Sequence, residues 1–348
     1  MLVVRMAMPA DLDALMLLAK HVGPGMTTLK PDAQILEARI ATACASFSGA
    51  LAPALRDYLF VMEDLATSRL IGVCAIKAAV GLREPFYNFR IGALVHSSVE
   101  LNIFSRMETL YLSSDLSGSA ELCSLFLHPD YRTANNGKLL SKSRFLFIAQ
   151  FADQFPQTVI AEMRGFLRDD GVSPFWEHLG RHFFHMDFKT ADDLCSQGKK
   201  SFIAELMPRH PLYVAYLPQE AQVVIGMVHV DTEPARHLLQ QEGMFHSGYI
   251  DIFDAGPVLQ ARIADLRATR ESGLKTVIGC AAQPHAMTTP ELVATTTLEQ
   301  FRVVLTDQSI MLSPGGMMLT ALEAKALQCQ PGEQVRTMAL SGARHVTT

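Results

Sequence analysis

The sequence contains no stretch of about 20 apolar residues, the length needed to cross a bilayer. Its longest run without Asp, Glu, Lys or Arg is the sixteen residues from Ile40 to Leu55, interrupted by Gly49 and Pro53. The N-terminus has no uninterrupted apolar segment either, because Asp11 and Asp13 fall where the core of an export signal would lie. Cysteine is sparse and scattered: Cys44, Cys74, Cys123, Cys195, Cys280 and Cys329 contain no C-x-x-C pair. Most have apolar or small neighbours, which suits buried free thiols in a reducing compartment. Positive charge is not in excess. With 30 Lys and Arg against 35 Asp and Glu, the net charge of −5 excludes a bulk field for nucleic acid or anionic lipid. What remains is an ordinary globular composition, 49% apolar and 19% charged, expected to be cytoplasmic.

Two phosphate-binding signatures are also missing. No G-x-G-x-x-G and no G-x-x-x-x-G-K-[ST] follows any strand-like run. Strand-like runs do occur at 2–6, 58–62, 70–80, 120–128 and 159–163, where β-rich apolar residues are bounded by turn formers. Asp11 stands as N-cap before the helically spaced Leu12, Leu15, Met16 and Ala19, and a long helical pattern runs from Lys138 to about Phe155. Ser173-Pro174 opens another helix, which Gly180 should close. The most informative segment joins the 120–128 strand to the long helix, and reads Arg132-x-x-Asn135-x-Gly137-x-x-Leu140. A strand, a glycine-bearing turn and a helix start point several backbone N–H groups at an anion. Asn135, Asn136, Gly137 and Lys138 would supply amides, with Arg132 and Lys138 adding charge.

That loop resembles the acyl-CoA pyrophosphate loop of GNAT-type N-acyltransferases, with Asn135 where a glycine is usual. Longer runs resemble one family, arginine N-succinyltransferase: EPFYN at 84–88, ELCSLFLHPDYR at 121–132, LLSKSRF at 139–145, IAEMRG at 160–165, FIAELMPRHP at 202–211, IGMVH at 225–229 and GYIDIFD at 248–254. The resemblance implies an α+β fold with a GNAT-like acyl-CoA-binding domain over 1–200. A second, degenerate GNAT-like half over 201–348 would carry the catalytic residue and end in a small mostly-β piece. It implies succinyl transfer from succinyl-CoA to the α-amino group of L-arginine, without a metal. The alternatives are ornithine as acceptor, or a non-catalytic sensor of CoA or arginine. No nucleic acid or membrane is implied, while assembly with itself or with a paralogous subunit stays open. A faint echo between Phe175-Trp176-x-x-x-Gly180 and Leu238-Leu239-x-x-x-Gly243 fits a duplicated module and equally fits two unrelated corners.

The resemblance places Leu125 and Leu127 on the strand that receives the cofactor, mainly through main-chain groups, and makes His229 the catalytic proton donor. The residues around His229 agree with that role. It follows the apolar run 223–228, read as a strand, and precedes Thr232-Glu233-Pro234, a helix start with Thr232 as N-cap. Positive helix dipole there favours a neutral imidazole. His128, beside Pro129, reads as structural, and His178, His182 and His185 lack a completing carboxylate or cysteine for zinc. Cys123 reads as core. Glu84, Asn88 and Glu162 are candidates for contacts to the acceptor.

Overall fold

The computed structural model describes residues 1–22, 26, 28–196, 201–280, 286–308, 310–313 and 315–342. Within them the period-two runs become strands of one sheet. In chain order these are β1 (Leu2–Met6), β2 (Asp57–Asp64), β3 (Arg69–Lys77), β4 (Asn88–Ser98), β5 (Ile103–Ser113), β6 (Ala120–Leu127), β7 (Thr158–Glu162) and β8 (Leu212–Tyr213). They continue as β9 (Phe245–Asp251), β10 (Pro257–Arg262), β11 (Gly273–Cys280), β12 (Ala286–Thr295), β13 (Arg302–Gln308), β14 (Ile310–Ser313), β15 (Gly316–Leu319) and β16 (Gln334–Ala339). The helices are α1 (Leu12–Ala19), α2 (Ala33–Phe47), α3 (Asn136–Gln150), α4 (Arg181–Phe184), α5 (Phe188–Ser196), α6 (Ser201–Leu206), α7 (Gln219–Gln222), α8 (Glu233–Gln241), α9 (Arg267–Glu271) and α10 (Ala321–Leu327).

The strand order is β14-β15-β11-β16-β12-β13-β1-β2-β3-β6-β7-β10-β9-β4-β5-β8. This is a mixed α+β architecture, as the resemblance implied. The sheet runs through both expected segments: β1 pairs with β13, and β7 with β10. β11 to β16 and α10 extend the sheet with their own small core, which includes Val277, Val304, Met317 and Val335. Most neighbours are antiparallel; β6–β7 and β11–β15 are parallel.

The main core lies between the sheet and helices α1, α2 and α3. Phe147 sits at its centre, its ring 5.1 Å from Phe60 and 4.9 Å from Phe301. Edge-to-face packing of this kind adds about 0.5–1.5 kcal/mol per pair beyond area burial. A second core gathers Phe89, Phe175, Trp176 and Ile250. Residues 139–148 of α3 are all buried, including Lys142 and Arg144, because neighbours cover the helix on every side.

Several expectations need correction. The β4–β5 hairpin and α2 lie outside the strand and helix runs read from the sequence. The distal arm of the hairpin packs on little, leaving Val99, Leu101 and Phe104 exposed, so no in-and-out alternation marks it. Gly180 does not close its helix. The helix runs through it from Trp176 to Phe184 and turns at His185, whose φ is 53°. Gly180 is required for packing instead, since a Cβ there would stand 2.2 Å from a Trp176 ring carbon. Asp11 begins α1 without capping it, because its carboxylate accepts from the Arg5 guanidinium and from the Met8 amide. The run 223–228 forms turns, and only Val228 makes a bridge, to Gly165. Cys280 is exposed, whereas Cys74, Cys123 and Cys329 are buried as expected.

Candidate active site

The sheet opens at the parallel pair. β6 and β7 are bonded only at Ala120–Val159 and Glu121–Ile160. Beyond Glu121 no strand pairs with that edge of β6 among the described residues, so its main-chain groups face a gap. On its other edge β6 carries one extra residue against β3, for Phe126 faces Val73 while Cys123 faces Ala75. The extra residue is a bulge at Ser124, held at φ 53°, a conformation that L side chains rarely adopt. Leu125, next to it, is half-buried, and Leu127 is buried. Both leucine side chains pack on the main core, which leaves the edge backbone for binding.

The loop after β6 begins at His128, which caps a short 3-10 turn over Pro129–Tyr131. Arg132 bonds back to the Leu127 carbonyl at 3.0 Å and lies 5.7 Å over the Phe126 ring. No carboxylate pairs with Arg132 or Lys138 among the described residues. Asn135, standing where a glycine is usual, does not occupy a left-handed position: its φ is −104°, and the left-handed residue is Ala134, at φ 47°. Asn135 is thus an ordinary N-cap position, and its side chain makes no capping bond. A Cβ built on Gly137 would meet nothing within 4 Å, so open space stands over the first turn of α3 where an anion would approach. The Asn136 amide donates to the Thr133 carbonyl at 3.2 Å. The remaining features fit a pyrophosphate: cations without a carboxylate partner among the described residues, a helix start and open space over Gly137.

His229 sits at the far end of β7. Its amide donates to the Arg164 carbonyl at 2.9 Å, two residues beyond the strand. Glycines let the chain beside Arg164 close on the β9–β10 connection: a Cβ on Gly165 would lie 2.3 Å from the Asp254 carbonyl oxygen, and one on Gly256 2.0 Å from that of Met163. The Asp254 carboxylate receives both glycine amides, and burial beside Asp251 raises its proton affinity. His229 then caps a 3-10 turn over Val230–Thr232, with Nδ1 accepting from the Asp231 amide at 3.2 Å. That bond occupies Nδ1 and leaves Nε2 for a substrate. Burial, followed by the charge of Arg164, lowers the His229 pKa below its ordinary 6.5, against the opposing pull of Asp231. The helix dipole predicts a neutral imidazole; burial and Arg164 are the causes found here. Thr232 precedes α8, but its hydroxyl turns back to the His229 carbonyl at 2.8 Å and does not cap.

Because β6 and β7 run parallel, their C-terminal ends lie on one side of the sheet. The loop follows one end and His229 attaches to the other, so residues some ninety positions apart flank the same gap. Helices α3 and α8 pack together, tied by Glu242 at the end of α8. Lys142 and Arg267 both donate to its buried carboxylate, at 2.6 and 2.9 Å. Of the acceptor candidates, Asn88 and Glu162 meet at 2.7 Å, while Glu84 is exposed in the preceding loop. Cys123 is buried and its thiol pushed up, chiefly by burial, which suits a core residue and not a nucleophile. No group of His, Cys, Asp and Glu suited to a metal ion occurs among the described residues.

A sheet opened at one parallel pair, with a glycine-bearing loop following one strand and a histidine held at the end of the other, is the arrangement expected of an N-acyltransferase. A sequence model described as the arginine N-succinyltransferase beta subunit matches residues 2–268. Arginine N-succinyltransferases of Shigella dysenteriae and Escherichia coli K12 are each 48% identical over 343 residues, covering 98% of both chains. The solved subunit AI of Pseudomonas aeruginosa arginine/ornithine succinyltransferase superposes with a TM-score of 0.89 at 34% identity, covering 98% of this chain and 99% of that one. The chain belongs to the arginine N-succinyltransferase family.

Proposed function

We propose that this protein transfers the succinyl group of succinyl-CoA to the α-amino group of L-arginine, giving N2-succinyl-L-arginine and CoA. Membership of the family over nearly the whole chain carries the reading. The meeting of the loop and His229 at one gap supports the roles that follow. The amides of Asn135, Asn136, Gly137 and Lys138 hold the pyrophosphate, with Arg132 and Lys138 neutralising its charge. Main-chain groups of β6 around Leu125 and Leu127 bind the pantetheine and polarise the thioester carbonyl. The amine nitrogen attacks that carbon, the C–N bond forms, and the C–S bond breaks. One proton leaves the nitrogen and one reaches the sulfur, with His229 as carrier. No resident metal takes part in this reading. The two-part division belongs to it as well, residues 1–200 supplying the loop and 201–348 the histidine.

Ornithine is the second acceptor to consider, because the P. aeruginosa subunit is named for both amino acids. One carboxylate-bearing place stands at the end of β7, beside the gap. It is Glu162 with Asn88. A cavity of about 540 Å³ elsewhere has walls that include Leu29, Asp170 and Glu177. An assembly of like or paralogous subunits and a cytoplasmic location complete the proposal; no described helix is long and apolar enough to cross a membrane. Thiol release from succinyl-CoA, measured in parallel with arginine, ornithine and lysine, tests the reading. Arginine or ornithine should dominate, and no release with any amine would leave a binding protein.

A further inference from the structure

The bulge at Ser124 is held from one side by a buried cation for which the proposed mechanism has no use. Arg39 lies on α2, its side chain 10% exposed, and every edge of its guanidinium is engaged. Nε and Nη2 donate to the two Asp57 oxygens at 2.9 and 3.3 Å. Nη1 donates to the Ser124 hydroxyl at 2.8 Å and to the Thr28 carbonyl, and Nη2 lies 3.7 Å from the Cys123 sulfur. The Ser124 hydroxyl passes the contact on, donating to Thr28 Oγ1 at 2.8 Å. One planar fork therefore joins α2, β2, the α1–α2 connection and the one left-handed residue of β6.

We propose that Arg39 is a positioning residue for acyl transfer, fixing the Ser124 bulge and with it the main-chain groups of β6 that receive the thioester carbonyl. The inference rests on the succinyltransferase reading above. A serine at φ 53° stays there only if its surroundings over-determine it. Here the side-chain oxygen is gripped by a guanidinium that is itself gripped by Asp57. Without the grip the bulge can relax toward extended backbone. The free edge of β6 would then shift relative to the loop and His229. Donors aimed at a developing oxyanion are sensitive to such shifts, because a misplacement of about 1 Å can lower a rate about 10²-fold. The pyrophosphate loop starts beyond Leu127 and supplies none of the Arg39 partners among the described residues, so the larger, phosphate-borne share of cofactor affinity should be spared. Lysine cannot substitute, since one ammonium cannot serve Asp57, Ser124 and the Thr28 carbonyl together.

Two variants and two readouts test this. Arg39→Lys should lower kcat about 10²-fold while KM for succinyl-CoA and for arginine stay within about threefold. Ser124→Gly, which accepts the left-handed backbone but removes the hydroxyl, should lower kcat about tenfold and decides the matter alone if Arg39→Lys does not fold. The second readout is the 13C shift of succinyl-CoA labelled at the thioester carbonyl. Bound to the wild type it should move downfield of the free ester, and in either variant it should return most of the way. Variants that lose thermal stability but keep kcat and the bound shift would make Arg39 a purely structural residue and overturn the proposal. A wild type that neither binds nor turns over succinyl-CoA would instead overturn the succinyltransferase reading on which the proposal rests, and the proposal with it.

Discussion

Two corners of this molecule are built on the same local plan. His128 and His229 each cap a three-residue 3-10 turn, and each Nδ1 accepts the amide two residues on, at 3.3 and 3.2 Å. Each has an aspartate at that position, Asp130 or Asp231, with its carboxylate 3.7 or 3.6 Å away. A helix follows soon after both, α3 or α8. Side-chain exposure is nearly equal, 16% and 17%. The difference lies in what surrounds them. The amide of His128 is tied to the Ile71 carbonyl of β3, and its ring packs 4.8 Å from that of His21. The amide of His229 is tied to Arg164 at the mouth of the gap, and no ring packs on it among the described residues. The helix starts differ too. α3 opens with Asn136, Gly137 and Lys138 and no acid, whereas α8 opens with Glu233 and Pro234, a negative charge and a missing N–H. One corner is equipped to receive an anion and the other to present an imidazole. A local motif thus says little about role until its neighbours are known.

The comparison breaks most visibly if the wrong histidine carries the chemistry. His229→Gln keeps hydrogen-bonding capacity but cannot cycle a proton, so kcat should fall about 10²–10⁴-fold. His128→Gln should leave kcat within about threefold. A His229→Gln enzyme within about threefold of wild type would assign His229 to positioning alone. At the helix starts, Gly137→Asp puts bulk and negative charge into the open space over α3. KM for succinyl-CoA should rise at least about tenfold, roughly 1.4 kcal/mol, with KM for arginine little changed. Pro234→Ala, the matched change at the other corner, should alter neither. Equal effects of Gly137→Asp on both substrates would remove this loop from cofactor binding.

A finer distinction comes from pH. In the proposed mechanism the neutral form of His229 accepts the amine proton, so activity should be present above its pKa and lost as pH falls through it. Since burial and Arg164 lower that pKa, the acid limb of kcat should lie below 6.5. It should survive in His128→Gln and vanish in His229→Gln. A limb at or above 6.5 in the wild type would mean that another group controls it.

Much of this comparison is legible in the sequence. The strands β1, β2, β3, β6 and β7 and the start of α3 follow from local pattern: alternating apolar residues, Pro129 after a strand, Gly137 at a helix start. His229 does not, since only the family resemblance singles it out, and the resemblance also gives the loop its role. The stripe Leu36, Ile40, Ala43 and Phe47 also marks α2 at helical spacing, with Asp32 accepting the Ile35 amide at its start. The uncharged run from Ile40 onward obscures that helix, and with it Arg39. Other features leave no local signal. The left-handed conformations of Ala134 and Ser124 are of this kind, and the partner that holds the Ser124 hydroxyl, Arg39, lies 85 residues away in the chain. The place of Gly180 inside a helix depends on Trp176 folding over it. The pairing of β13 with β1 and β10 with β7 joins segments that share no sequence pattern.

The smallest expected effect reverses the first. His128 makes ring contacts at 4.8 Å with His21 and 6.1 Å with Tyr131, and His229 makes none among the described residues. Pairs of this kind contribute about 0.5–1.5 kcal/mol beyond area burial. A glutamine replacing His128 keeps an acceptor for the Asp130 amide but loses the rings. His128→Gln should therefore lower stability by about 1 kcal/mol, a fall in Tm of about 2 °C in a chain of this size. His229→Gln, which removes no ring contact, should stay within about 0.5 kcal/mol of wild type. Calorimetry on the two variants, set beside their kcat values, gives a crossed pattern: one histidine matters to stability and the other to turnover. If His229→Gln proves the more destabilised of the two, its loss of activity could be read as a loosened corner. Proton transfer would then have to be argued from the pH profile alone.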